Sequence, residues 1–168
     1  FGEQMTVAEF NAAALMEKCG DEKGAEKKYE QLAKKSKYQL AMNNLGAMYW
    51  RRGETKKALE WFDNAVKADP KKAFAARNNL AAAYIAKKDF KTALRYVKEV
   101  LKVQPKNVPA IINLGLYYLE QNKLPLAQLM FNKAIGYEKD NARAHNNLGL
   151  THYKNKIFPL AVLEFEKA

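Results

Sequence analysis

The chain has 168 residues, with 29 Lys and Arg against 18 Asp and Glu, for a formal net charge of +11. It has no apolar run of the ~18 residues that a membrane-spanning helix needs, and residues 1–20 lack the charged start and apolar stretch of a signal peptide, so neither is predicted. The single cysteine, Cys19, excludes an internal disulfide, and the basic balance favours acidic partners without naming them.

The chain repeats itself. Asn44-Leu45-Gly46 returns as Asn79-Leu80-Ala81, Asn113-Leu114-Gly115 and Asn147-Leu148-Gly149, with leucine steps of 35, 34 and 34. The same beat carries Ala58, Ala93, Ala127 and Ala161, and again Phe62, Val97, Phe131 and Phe165. A period of this length means stacked supersecondary units, each unable to bury its apolar face alone. In chain order, residues 6–38 form a weaker copy, with Asn11, Ala12, Ala13, Met16, Ala25 and Tyr29.

Residues 39–72 hold the clearest unit. Its first helix puts Met42, Leu45, Met48 and Tyr49 on one face, followed by Gly53 at the turn and a second helix with Ala58, Phe62 and Ala65. Gly46 removes a side chain where the two helices approach. Residues 74–107 keep Leu80, Tyr84 and Ala93 but carry Ala81 and Val97 in place of the glycine and the aromatic. Residues 108–141 turn at Asn122, and residues 142–168 stop short of a full period. Pro125 and Pro159 open second helices, and Pro70 and Pro105 close them.

Leu45, Gly46, Tyr49, Ala58, Phe62, Ala65 and Pro70, with their counterparts downstream, resemble the tetratricopeptide repeat family. The resemblance implies an all-α, right-handed α-solenoid forming one array over residues 1–168. Its repeats would be 6–38, 39–72, 74–107, 108–141 and a truncated 142–168. It also implies a protein-interaction module with no cofactor, on which a peptide or helix of a partner protein lies in a concave groove lined by the first helix of each repeat. The family occurs in the cytosol and on the periplasmic side of bacterial envelope assemblies, and composition does not decide between them.

Carried onto this sequence, the groove positions include Val7, Phe10 and Asn11, then Leu40, Asn43, Asn44 and Trp50, then Asn78, Asn79 and Ile85. They continue as Ile112, Asn113, Leu116 and Leu119, and end as Arg143, Asn146, Asn147, Leu150 and Tyr153. Asn11, Asn44, Asn79, Asn113 and Asn147 recur once per repeat. A carboxamide both donates and accepts, so such a ladder is suited to grip a peptide backbone; the plainer alternative is that it stabilises the array itself. Trp50 and Tyr153 are the residue types that anchor interfaces. The basic and asparagine residues of a clamp for a chaperone's C-terminal carboxylate are absent apart from Asn79, so that partner is not expected.

Lys87, Lys91, Arg95, Lys98 and Lys102 recur at steps of 4, 4, 3 and 4 on one helix face. This basic ridge is either a solvated face or an alternative site for nucleic acid or acidic membrane, although it lacks interleaved aromatics for base stacking. End-to-end self-association through the last unit is a third mode. His145 and His152 lack a third metal ligand and any carboxylate or thiol motif beside them. No nucleophile has a base, so no enzyme and no metal site are predicted.

Overall fold

The computed structural model describes residues 2–168, with residue 3 as backbone alone. Among the described residues there are ten helices and no strand, an all-α fold of the α-solenoid class. They run α1 (Gly2–Lys18), α2 (Glu22–Ser36), α3 (Gln39–Arg51), α4 (Thr55–Ala68) and α5 (Phe74–Ala86). They continue as α6 (Phe90–Val103), α7 (Val108–Glu120), α8 (Leu124–Tyr137), α9 (Ala142–Lys154) and α10 (Phe158–Glu166). The helices fall into two units, one ending at Leu80 and one beginning at Ala81, so the division lies inside α5.

Local chemistry sets the helix starts. The side chains of Asp21, Asp89, Asn107 and Asn141 accept from the backbone N–H of Gly24, Thr92, Ala110 and Ala144 at 2.9–3.1 Å, capping α2, α6, α7 and α9. The turns inside successive helix pairs use a left-handed residue at matching places: Gly53, Lys88, Asn122 and Lys156, with φ of 77°, 60°, 57° and 62°. Two of these are lysines, so the conformation comes from the packing of the helices on either side and not from glycine alone.

In the first unit α1 packs on α2, α2 on α3 and α3 on α4, around the fully buried Tyr29, Leu45, Met48 and Phe62. In the second unit α6 to α10 pack in chain order, and α7 also meets α9. Its core holds Val108, Ile111, Ile112, Leu119, Phe131 and Leu148.

In three of the repeats a glycine is a contact requirement. A Cβ on Gly46 would stand 2.5 Å from the Phe62 ring, one on Gly115 2.5 Å from Phe131, and one on Gly149 2.6 Å from Phe165. Between α5 and α6 the pair has changed on both sides: Ala81 replaces the glycine, Val97 replaces the phenylalanine, and both are completely buried. A larger residue on one helix is matched by a smaller one on the other, which is how cores tolerate paired change.

The two contacts in the second unit differ in what surrounds the ring. Phe131 is completely buried, whereas Phe165 is 38% exposed. Gly115→Ala therefore overpacks a ring with nowhere to go. It should lower stability by about 1–2 kcal/mol after the helix-propensity gain of alanine. Gly149→Ala meets a ring that can swing outwards and should stay within about 0.5 kcal/mol of the parent or exceed it. Amide exchange over α7–α8 and α9–α10 in the two variants checks this contrast; equal losses would show that the rings are equally confined.

Candidate functional site

The first helices of the repeats carry the expected site residues, but most of the asparagines are already engaged. In the first unit they form a relay. Asn79 Nδ2 donates to Asn43 Oδ1 at 2.9 Å, and Asn43 Nδ2 donates to Asn44 Oδ1 at 3.4 Å. Asn44 Nδ2 then donates to the Tyr29 hydroxyl at 3.0 Å, which donates to Glu17 Oε2 at 3.0 Å. Arg51 closes the chain on the other oxygen of Glu17. The relay thus ties α5 to α3, α2 and α1. Burial, with Glu17 alongside, pushes the Tyr29 hydroxyl up to about 12, so it stays a proton donor throughout the useful pH range. A parallel set lies nearby: Tyr49 donates to Glu26 at 2.8 Å, and Arg52 bonds Glu26 at 2.7 Å and Glu22 at 3.3 Å. The Arg52 bond holds the Glu26 carboxyl below its usual range.

In the second unit, Asn113 is buried and accepts from Arg143 Nη2 at 3.1 Å. Asn78 and Asn147 are also buried, while Asn11 and Asn146 are exposed. The carboxamide ladder is therefore largely a set of internal ties, which repetition in the sequence could not distinguish from a row of free groups.

The apolar positions divide the same way. Ile85, Ile112 and Leu119 are buried, so an incoming peptide could not reach them in this packing. The reason is that a helix with neighbours on two sides buries more than one stripe. Leu40 and Leu116 are half-buried, and Phe10 packs on Tyr29 and Tyr38 with ring centroids 5.8 and 5.3 Å away. Trp50 in the first unit, and Leu150 and Tyr153 in the second, remain exposed. Arg143, Asn146, Leu150 and Tyr153 follow one another at helical spacing along one stripe of α9. Within that stripe the Arg143 guanidinium is drawn down onto Asn113. Desolvation lowers its pKa, and it has no carboxylate partner among the described residues.

All five members of the basic ridge are exposed, as its spacing predicts. Arg95 lies 4.2 Å over the Tyr96 ring and pairs with Glu99 at 3.0 Å, and Lys87 lies over Tyr84. Its upper part is thus partly committed to its own helix pair.

One pairing was illegible in sequence. His145, which has no carboxylate motif beside it in sequence, faces Glu164 across α9 and α10, with Nδ1 2.6 Å from Oε2. Its Nε2 meets the Lys139 carbonyl at 2.8 Å, and both side chains are buried. Nineteen positions separate the two, so no local motif could have flagged them. Both ring nitrogens face acceptors, so the geometry asks for the doubly protonated ring. Burial opposes that charge, but Glu164 and the Lys139 carbonyl outweigh it and raise the pKa above 6.5. Burial likewise opposes the Glu164 charge, and Lys167 and His145 overcome it to lower its pKa below 4.5. Among the described residues no cluster of three His, Cys, Asp or Glu side chains forms that could hold a metal, and no helix is long and apolar enough to cross a membrane.

Two family models, both described as tetratricopeptide repeat, match residues 38–106 and 112–168. The chain belongs to the tetratricopeptide repeat family. Repeats of this family serve in general as protein-interaction scaffolds, and that broad role applies here. Solved structures share the fold at low identity. A thermophilic TPR protein of Thermus thermophilus is 19% identical, with a TM-score of 0.84 over 97% of this chain and 89% of that one. PilF of Pseudomonas aeruginosa is 17% identical, with a TM-score of 0.79 over 98% and 75%. MamA of Desulfovibrio magneticus is 21% identical, with a TM-score of 0.69 over 96% and 92%. No curated protein sequence matches the chain.

Two outcomes follow from these contacts. Asn43→Ala removes the middle of the relay and strands the Asn79 Nδ2 donor and the Asn44 Oδ1 acceptor, so it should destabilise the first unit by about 1–3 kcal/mol in denaturant titration. A change below 0.5 kcal/mol would show that water replaces it. For the His145–Glu164 pair, the histidine contribution is complete below its ordinary value of 6.5 and is lost as pH rises through the raised folded value. The glutamate contribution is complete above 4.5 and is lost as pH falls through the lowered one. Protection of α10 amides, corrected for intrinsic exchange, should therefore peak between these values and decline on the alkaline side; His145→Gln should remove the alkaline decline.

Proposed function

We propose that this chain, its ten helices read as five consecutive tetratricopeptide units, holds a peptide or helical segment of a partner protein on the exposed faces of its first helices. The surface with the strongest support is the α9 stripe of the second unit. Leu150 and Tyr153 are 40% and 59% exposed there. The single observation that carries the reading is Arg143, a partly desolvated cation with only a carboxamide partner, set beside two apolar anchors. A carboxylate of the ligand would complete its hydrogen bonds, and apolar side chains would cover Leu150 and Tyr153. In the first unit Trp50, near the end of α3, occupies the corresponding exposed position and is read as a second anchor.

Affinity capture of the natural partner, followed by titration of the purified pair, tests this. Tyr153→Ala should weaken binding by about 2 kcal/mol, roughly thirtyfold, and Arg143→Ala by tenfold or more, with melting curves kept. Unchanged affinity in both variants would move the site off the α9 stripe.

A further inference from the structure

The lower part of the basic ridge borders a depression on a different surface of the second unit. It lies between α6 and α7 and encloses about 580 Å³. Leu94, Leu101 and Leu114 form its floor, and each is only half-buried. Tyr117 and Tyr118 wall it on the α7 side, locked edge to face at 5.3 Å. Lys98, Lys102 and Lys123 stand at its rim. Lys98 and Lys102 are one helical turn apart on α6, and Lys123 reaches in from the turn after α7. All three are exposed, and none has an ion-pair partner among the described residues. Arg95, by contrast, is spent on Glu99.

Three cations of one sign around a recessed apolar floor select their occupant by two properties at once. The rim favours carboxylates, and the floor favours branched or aromatic side chains whose burial would remove the leucines from water. We propose that the α6–α7 depression is a docking site for an acidic peptide segment that carries large apolar side chains. Nucleic acid satisfies only the rim: the tyrosines are half-buried and packed edge to face against each other, and so do not stand out as platforms for a base. A flat membrane also satisfies only the rim, because the leucines are half-buried while the lysines are exposed, so little apolar surface is offered to a bilayer. A peptide side chain can enter where those surfaces cannot. This site goes beyond the α9 stripe and uses different residues.

The test uses a panel of fluorescein-labelled synthetic peptides of glutamate with leucine and phenylalanine, read by anisotropy. A matched panel has serine in place of the apolar residues, and phosphatidylserine-containing vesicles are run alongside. The glutamate–leucine–phenylalanine panel should include saturable binders that lose tenfold or more in affinity with the Lys98→Glu, Lys102→Glu double variant. Those binders should be unaffected by Arg143→Ala and weak when serine replaces the apolar residues. The substitutions lie on an exposed face, so the circular dichroism melt should be retained. Four results would overturn the proposal: no saturable binder in the panel, affinity unchanged in the double variant, equal binding of the serine panel, or binding to vesicles alone. Loss with Arg143→Ala but not with the lysine variant would assign the peptides to the α9 stripe instead, so the two sites stand or fall separately.

Discussion

The contact between a glycine on the first helix of a repeat and an aromatic ring on the second organises this molecule. With no Cβ at Gly46, Gly115 or Gly149, the rings of Phe62, Phe131 and Phe165 lie directly against the partner helix backbone. That approach sets how the two helices of a pair are rotated, and rotation decides which residues are core and which are surface. At Ala81 and Val97 both residues differ from that pattern and both are completely buried. A unit may use a larger residue on one helix if it uses a smaller one on the other.

Once the pairs are set, polar residues on the first helices face one another across neighbouring helix pairs. The asparagine relay in the first unit is the result. Each carboxamide donates to the next, and the chain ends on a carboxylate held by Arg51. Such a chain resists shear between helices, because sliding one helix breaks two directional bonds at once. Stability and binding therefore compete for the same side chains. The large apolar first-helix residues that stay exposed include Trp50 in one unit and Leu150 and Tyr153 in the other.

The charge distribution follows a similar logic. A net charge of +11 could be spread as solvated lysines everywhere. Instead, glutamates neutralise Arg51 and Arg52 of the first unit, at Glu17, Glu22 and Glu26. The lysines at the lower end of the α6 ridge lack such partners and surround an apolar depression. Local charge imbalance beside recessed apolar surface is a stronger sign of a binding site than net charge, because it pairs an electrostatic term with a desolvation term.

The fold class was legible in the sequence because it rests on spacing. A leucine, a glycine, an alanine and an aromatic recurring every 34 or 35 residues specify a helix pair and its repetition without any long-range information. The exposed basic ridge and the left-handed turns at Gly53 and Asn122 are local in the same sense. What only the tertiary structure decided is which repeated residues are spent internally. Asn79 meets Asn43 from 36 positions away, Arg143 meets Asn113 from 30, and Glu164 meets His145 from 19. Periodicity assigns a residue to a helix face. It cannot say whether that face looks at solvent or at the next helix, because burial depends on the rotation and stacking of elements distant in sequence.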